Sequence, residues 1–490
     1  MESKIFQVDS KKDDIDVSEN AKDTGSSDGG ATEIYIDPVL EQKVMRKFDI
    51  FVIPQMVLLV ILAYLDRSNI GNARVFGFEE GIGLQGTEFN NLTSLFFVTY
   101  VVFEIPWVMS IKKLGANRVL ATAIVCWSVV TIGFGFVKNY HQALALRLLL
   151  GLFEAGLIPC LTFLISMIYT RQSQAKRVAA LYAGSAISGA FGGLIAYGIQ
   201  TMGDRHGLSA WRWLFIVEGI ISLVIGGIAW LTMPKNAVNA WFLNEEEKGL
   251  MRARHQRDAI YKGVEEFSWS YVKMAFVDPF IYVASLGLFC SSVPLFGFGL
   301  FLPTIIKGLG YDSLQANYLT IPVYVLGTLS LYLCSWVSDK LNRRAIIGGT
   351  ISLLVVIGYA ISVGTANGGA GFFAMFLCAA GIYPYNAILL TWVSNNIKPD
   401  HKRSVSVPLF TSLANISGLI SSQIYPSSDG PRYITGNSVS LAMEFVAVLC
   451  VWGIYFLLRR RNIIKEAMIA KGATDNGKQG DRALDFKYTL

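Results

Sequence analysis

Polar and apolar positions separate sharply along this chain. Polar residues dominate the first 45 positions. From Phe48 onward, long apolar runs alternate with short polar stretches, and each run approaches the roughly 20 residues that a helix needs to cross the hydrocarbon core of a bilayer. The pattern predicts twelve membrane-spanning helices. Six lie at about 48–73, 90–111, 118–137, 142–168, 176–200 and 211–232, and six more at about 279–305, 315–338, 345–365, 370–394, 404–425 and 438–458. A polar segment, 234–275, separates the two groups and is expected to hold a short amphipathic helix near Trp241. The resulting division is a disordered tail at 1–45, a first six-helix half at 46–233, a central loop at 234–275, a second half at 276–459 and a polar tail at 460–490. The first tail is rich in Asp, Ser, Lys and Gly and has too little apolar surface to offset the entropy of ordering.

Short-loop charges set the orientation. Lys112, Lys113 and Arg118 follow the second span, and Arg171, Lys176 and Arg177 the fourth. Lys340, Arg343 and Arg344 follow the eighth, and Lys398, Lys402 and Arg403 the tenth. Basic loops stay on the cytoplasmic side, so both termini and the central loop are expected there. Composition agrees with a membrane protein: 53% of residues are hydrophobic and only 16% charged, against about 25% charged in soluble domains. The net charge of +6 comes from these loops and gives no reason to expect nucleic acid as a partner. The six cysteines fall in or beside apolar runs, where they act as small reduced hydrophobes.

Few ionisable residues lie inside the spans: Asp66, Arg67, Glu104, Arg147, Glu154, Glu218 and Glu444. A charge at the centre of a membrane helix costs roughly 2.5–3.5 kcal/mol on insertion scales, so such residues face the protein interior or a watery cavity. Asp66 and Arg67 stand side by side in the first span. Arg147 and Glu154 are two helical turns apart on one face of the fourth, a separation of about 10 Å, with the small Gly151 and Ala155 beside them. An arginine stays charged and offers a planar fork to a carboxylate. Arg67 is therefore read as the docking point for an anionic substrate, or as a structural partner of Asp66 or Glu154, two roles that are compatible. A buried carboxyl poised by an arginine suits a proton carrier, which makes Glu154 and Asp66 the coupling candidates. Arg147 is read equally as an anion attractor and as a structural partner of Glu154. Glu104, near Pro106, is assigned to gating, and Glu218 to a packing hydrogen bond.

In the second half, Tyr383, Asn386 and Trp392 of the tenth span and Ser412 and Asn415 of the eleventh offer polar and aromatic contacts. Tyr64 does so in the first half. Flat aromatic substrates stack on such rings, although aromatic side chains at helical spacing also serve packing. The small face of the fifth span, Gly184 to Gly193, is read as a close-packing surface. Metal-ligand clusters and nucleophile–base pairs are missing from the sequence pattern: the four histidines, His141, His206, His255 and His401, lie in loops without ligand spacing. A membrane enzyme is accordingly not expected.

Two groups of six spans around a basic centre point to an internal duplication, and the loops after the second and eighth spans echo each other. The second of these, Ser335-Trp-Val-Ser-Asp339-Lys-Leu-Asn342-Arg343-Arg344, resembles the signature Gly-x-x-x-Asp-Arg-x-Gly-Arg-Arg of the major facilitator superfamily. Ser335 and Asn342 stand in place of its glycines, and Lys112 in place of the Asp in the first half. Four further stretches carry the resemblance into one branch. They are Tyr64-Leu-Asp-Arg-Ser-Asn-Ile-Gly-Asn-Ala, Arg147-Leu-Leu-Leu-Gly-Leu-Phe-Glu154-Ala-Gly-Leu-Ile-Pro159, Trp211-Arg-Trp-Leu-Phe-Ile-Val-Glu218-Gly and Pro431-Arg-Tyr-Ile. Together they resemble the anion:cation symporters, in particular the fungal allantoate, nicotinate and pantothenate permeases, with the look of a nicotinate-type permease. The stretch Leu484-Asp-Phe-Lys-Tyr is similar to the end of that group.

The resemblance implies an all-helical twelve-span fold in two halves and proton-driven import of a small organic anion across the plasma membrane. It also implies coupling and binding roles for the acid–base pair of the first span and the glutamate of the fourth. The proton is the coupling ion, no cofactor is expected, and the working unit is a monomer in the lipid bilayer. Asp339, Arg343 and Arg344 would form a cytoplasmic latch. Related permeases handle nicotinate, pantothenate, biotin, allantoate and dipeptide-like anions, so the resemblance narrows the class of substrate more than the molecule. Export of an organic acid on the same fold, and a nutrient receptor without bulk transport, remain the alternative readings.

Overall fold

A computed structural model describes residues 36–490, apart from 170, 235, 239, 262–268, 399 and 478–479. Twelve long helices make up the body. In the first half they are α1 (Ile53–Val75), α2 (Glu88–Leu114), α3 (Ala116–Phe134), α4 (Tyr140–Ile168), α5 (Arg171–Met202) and α6 (Ala210–Thr232). In the second half they are α7 (Pro279–Gly308), α8 (Thr320–Leu341), α9 (Arg344–Gly364), α10 (Gly368–Asn395), α11 (Asp400–Gln423) and α12 (Ile434–Ala470). Among the described residues, eleven helical stretches are long and apolar enough to cross a bilayer. The twelfth, α2, has 27 residues, which reach about 40 Å at 1.5 Å per residue, and its stretch 92–109 carries a single charge, Glu104.

The packing has a two-fold pattern. Within the halves, α3 lies against α6 and α9 against α12. Between them, α1 meets α7, α2 meets α11 and α5 meets α8. Glycines permit the closest approaches. A Cβ on Gly71 of α1 would come within 1.9 Å of the Leu300 carbonyl oxygen of α7, and one on Gly151 of α4 within 2.3 Å of the Phe96 carbonyl oxygen of α2. The small face of α5 is likewise in close contact, with Gly189 against the Tyr324 ring and Gly193 against Thr320 of α8.

The end of the bundle that carries residues 36–51, the central segment and the tail is called basal here. Cross-half hydrogen bonds concentrate at the opposite, far end. Arg74 donates to Ser427 at 2.6 Å, Asn90 donates to the carbonyls of Ser422 and Tyr425, and Gln423 donates to Ser94 at 2.7 Å.

Three expectations are corrected. The disordered tail placed at 1–45 does not extend so far: Pro38–Phe51 is a helix, capped by the Asp37 side chain, and residues 1–35 lie outside the described residues. The first apolar run does not begin its span at Phe48, because the chain breaks at Val52, with Pro54 in the first turn of α1, where a missing N–H costs nothing. Phe48 and Val44 turn inward beneath the bundle instead, and Lys47 bonds Glu247 at 2.7 Å. Trp241 sits in a turn, and two helices follow it among the described residues of the central segment and its exit, at Glu245–Tyr261 and Trp269–Val277.

The tail after the last span is also more than a polar extension. Residues 480–490 fold back on the basal mouth of the second half. The Trp392 indole donates to the Thr489 carbonyl at 2.8 Å, Asn396 brackets Thr489 with bonds of 3.1 and 2.8 Å, and Asn462 brackets Tyr488 with bonds of 2.9 and 3.0 Å. Beneath them Lys402 reaches Asp278 at 2.6 Å and Asp481 at 3.0 Å, while Arg461 bonds Asp278 at 2.6 Å. Burial raises the Asp278 carboxyl, but the hydrogen bond from Arg461 and the charge of Lys402 outweigh it and hold it down at about 2.

Candidate functional site

A central cavity of about 160 Å³ lies between the halves. Its first-half wall carries Tyr64, Arg67, Phe96, Arg147 and Tyr182, together with the hydroxyls of Thr93, Ser185 and Ser188. Its second-half wall carries Ser292, Tyr324, Tyr383, Asn386, Thr411 and Asn415. The cations come from one half only, and the other supplies neutral amides, hydroxyls and rings.

Arg67 is the focus. Its Nε donates to Glu154 Oε2 at 2.9 Å, and its guanidinium lies over the rings of Tyr100, Tyr64 and Phe96 at 4.4, 5.0 and 5.4 Å. Aromatic faces stabilise a desolvated guanidinium through their quadrupoles, so Arg67 stays in place at 8% exposure. The local sequence explains this geometry. Tyr64 and Arg67 are three positions apart and share a face of α1, while Phe96 and Tyr100 are four apart and share a face of α2. Glu154 falls where α4 breaks: the helix stops at Glu154 and resumes at Leu157, across Ala155 and Gly156. Gly151 brings that break against the backbone of α2.

Behind Arg67 the cluster continues away from the cavity. Arg147 stacks over Phe134 at 4.9 Å and lines both the cavity and a second void of about 10 Å³, roughly one water in size, which it shares with Asp66 and Thr131. Asp66 faces Thr131 and the Trp127 indole without closing a hydrogen bond to either. Glu218 of α6 is the next acid along. Both oxygens of Asp66, both of Glu218 and Oε1 of Glu154 are buried without a hydrogen-bond partner, as are Nε and Nη2 of Arg147. The packing hydrogen bond expected for Glu218 is therefore not formed, and the partner of Glu154 is Arg67 rather than Arg147. Three acids face two arginines, and buried charges need pairing.

Most of the sequence-predicted binding residues meet here. Tyr64, Arg67, Arg147, Asn386 and Asn415 line one cavity, although they come from four helices. Trp392 and Ser412 lie off its wall; the Trp392 indole is committed to the folded-back tail. Asp66 and Glu154 sit one layer behind the wall. Glu104 meets Asn415 across the halves at 3.4 Å. At the basal end Asp339 pairs with Arg344 at 3.1 Å, but its side chain is 71% exposed, and Arg343 points to solvent. Asn342, which stands where the signature has glycine, adopts the left-handed conformation at φ 51° that asparagine tolerates. The side chain of Lys112 lies outside the described residues.

Sequence reasoning passed over Phe96, Tyr100, Tyr182, Ser185 and Ser188. The last three share the small face of α5, where close packing was the evident signal and cavity lining was not.

Comparison with known proteins bears on what such a cavity does. The family profile described as "Major Facilitator Superfamily" matches residues 56–422. An uncharacterized transporter of Schizosaccharomyces pombe is 38% identical over 477 residues, 96% of this chain and 95% of its own length. The high-affinity nicotinic acid transporter of Saccharomyces cerevisiae is 33% identical over 457 residues, 92% of this chain and 85% of its own. Among solved structures, a bacterial homolog of the human lysosomal transporter Spinster superposes with a TM-score of 0.65 at 16% identity, covering 86% of this chain and 97% of that one. A D-xylose–proton symporter does so with a TM-score of 0.64 at 16% identity, covering 83% and 97%. These two show the shared fold.

Proposed function

Because the chain belongs to the Major Facilitator Superfamily, and is thus a multi-pass membrane transporter rather than an enzyme, we propose that it imports a small organic anion, nicotinate first, together with a proton. The observation that carries this reading is Arg67: a guanidinium on the cavity wall, boxed by Tyr64, Phe96 and Tyr100 and held from behind by Glu154. A planar aromatic carboxylate fits that surround, with its carboxylate on the guanidinium fork and its ring against aromatic faces. Asn386, Thr411 and Asn415 of the opposite wall are placed for a ring heteroatom or a second polar group. The 33% identical relative named for nicotinic acid supports the choice of molecule.

Coupling follows from the charge balance. With Asp66, Glu154 and Glu218 against Arg67 and Arg147, full ionisation leaves one negative charge in excess in a dry interior, and a proton relieves it. A proton on Glu154 loosens its hold on Arg67, which then accepts the substrate carboxylate in its place. The substrate leaves when the proton leaves. Alternating access arises from rocking of the two halves about the glycine-lined contacts of α1 with α7 and α5 with α8. The basic loops support cytoplasmic termini and, with the nutrient-uptake reading, a plasma-membrane location; the cavity is lined by one chain, which supports a monomeric working unit.

The test is uptake of labelled nicotinate by cells expressing the chain, compared at acid and neutral external pH, beside Arg67→Ala and Arg67→Lys. Saturable uptake, faster in acid and lost in Arg67→Ala, is the expected result. No uptake by a correctly localised protein discards nicotinate, and uptake indifferent to pH discards proton coupling.

A further inference from the structure

The second half buries one carboxyl that the proposed cycle does not use. Glu444 of α12 has no exposed surface. Its Oε1 accepts a hydrogen bond from the Ser352 hydroxyl of α9, and its Oε2 is buried without a partner. The titratable groups that face it are thiols and phenols: Cys290 of α7, Tyr359 of α9, and Cys378 and Tyr385 of α10. No cation stands among them in the described residues. A carboxylate in so dry a place, with no counter-ion, takes up a proton instead of staying charged.

Glu444 is also connected to the cavity. Ser291 of α7 stands beside it, and the Ser291 hydroxyl oxygen accepts from the Asn386 amide at 3.2 Å. Asn386 lines the cavity, and its carbonyl oxygen faces the hydroxyl of Ser292, another wall residue, at 3.4 Å. An anion that draws the Asn386 amide toward itself withdraws a donor from Ser291 and frees that hydroxyl to accept.

We propose that Glu444 is a second proton carrier of the transport cycle, loaded in this conformation and linked to the substrate cavity through Ser291 and Asn386. On release Asn386 has turned toward the cavity and a water takes the place its amide left beside Ser291; the Glu444 O–H bond breaks, Ser291 Oγ takes the proton, and Ser291 passes its own proton to that water. The carboxylate left behind is reloaded by the reverse path. This rests on the transport reading above, but the residue's behaviour is measurable without any substrate.

The decisive experiment is infrared difference spectroscopy on the purified full-length protein between about pH 5 and about pH 9, a range that brackets perturbed carboxyl titrations. Wild type is compared with Glu444→Gln and Ser291→Ala. A protonated-carboxyl band that is present in acid, lost in alkali and missing from Glu444→Gln is the expected result, with the same band exchanging more slowly in Ser291→Ala. A Glu444 band unchanged across the range makes the residue a permanent structural hydrogen-bond donor and overturns the proposal; absence of the band at both ends overturns it equally. If Glu444→Gln fails to fold, the exchange rate in Ser291→Ala decides, and a rate equal to wild type is the negative result. In liposomes, nicotinate-driven proton movement should fall by one proton per nicotinate in Glu444→Gln. Wild type that moves no nicotinate refutes the substrate assignment and leaves the infrared result on Glu444 intact.

Discussion

Two buried ion clusters in this protein have opposite characters. At the basal end of the second half, Lys402, Arg461 and Arg482 face Asp278 and Asp481: three cations, two acids, and a hydrogen bond on every carboxylate oxygen, with Tyr488 and the Phe280 amide completing the set. At the heart of the first half, Arg67 and Arg147 face Asp66, Glu154 and Glu218, and five carboxylate oxygens have no partner. A cluster that must only hold the tail in place gains from having every carboxylate oxygen paired. One that must bind and release a proton and an anion has to keep valences open, because a fully satisfied network has nothing left to offer a ligand. An excess of acids, with carboxylate oxygens left open, is what separates the working site from the rivet.

That contrast is open to attack at several points. The largest effect is expected for Arg67→Ala, which removes the anion dock and leaves Glu154 buried and unpaired. Breaking a buried pair costs about 3–5 kcal/mol, and uptake should fall to background even where the protein reaches the membrane. Lys402→Met should be as damaging to a different quantity. It leaves Asp481 with the Tyr488 hydroxyl in place of its cation and takes one of the cations from Asp278, lowers thermal stability by an amount on the order of 3 kcal/mol and exposes residues 480–490 to protease. The pH profile of whatever protein survives should stay the same. A changed profile would erase the distinction between the clusters.

Acid should find the same boundary. The folded-state pKa of Asp278, about 2, lies below the ordinary value near 3.9, so its contribution is present above about pH 4 and is lost as pH falls through about 2; the depression amounts to roughly 2 kcal/mol. Protease sensitivity of the tail should therefore rise only in strong acid, far below the range in which transport responds to pH. Glu154→Gln comes next. The neutral amide should collapse most of an acid stimulation on the order of tenfold per pH unit while substrate exchange continues; fully persistent acid stimulation would move the coupling to Asp66, Glu218 or Glu444. The smallest effect belongs to Tyr100→Leu, which removes one aromatic face from the Arg67 guanidinium, worth about 0.5–2 kcal/mol, and should appear as weaker apparent affinity at unchanged pH dependence.

Much of the site was legible because membrane insertion makes buried charge conspicuous. Arg67, Arg147 and Glu154 stand out in apolar runs, and helical spacing puts Arg147 and Glu154 on one face of α4, although the meeting of Glu154 with Arg67 of α1 is a tertiary fact. Asn386 and Asn415 were visible as polar residues in spans. Trp392 shows the limit: an aromatic residue in a span carries no mark of whether it faces a ligand, a lipid or another part of the chain, and here it holds Thr489. Glu218 shows the converse. A packing hydrogen bond is the default reading for a lone glutamate in a span, but the bond depends on what the neighbouring helices present to α6, and Asp66, another acid, is the charge nearby.

What the sequence determines by itself is what the bilayer reads: which segments enter the hydrocarbon, which charges are costly enough there to need a purpose, and, through the repeated six-span pattern, the two-half plan. Those properties are local sums over a helix and survive without knowledge of its neighbours. The tertiary structure alone decides which charges pair, which oxygens stay open, and that Glu444, Ser291 and Asn386 form one connected set from three helices. These are relations between groups far apart in the chain, set by a few ångströms of packing at Gly71, Gly151 and the break after Glu154, and no periodicity along the sequence encodes a distance between helices.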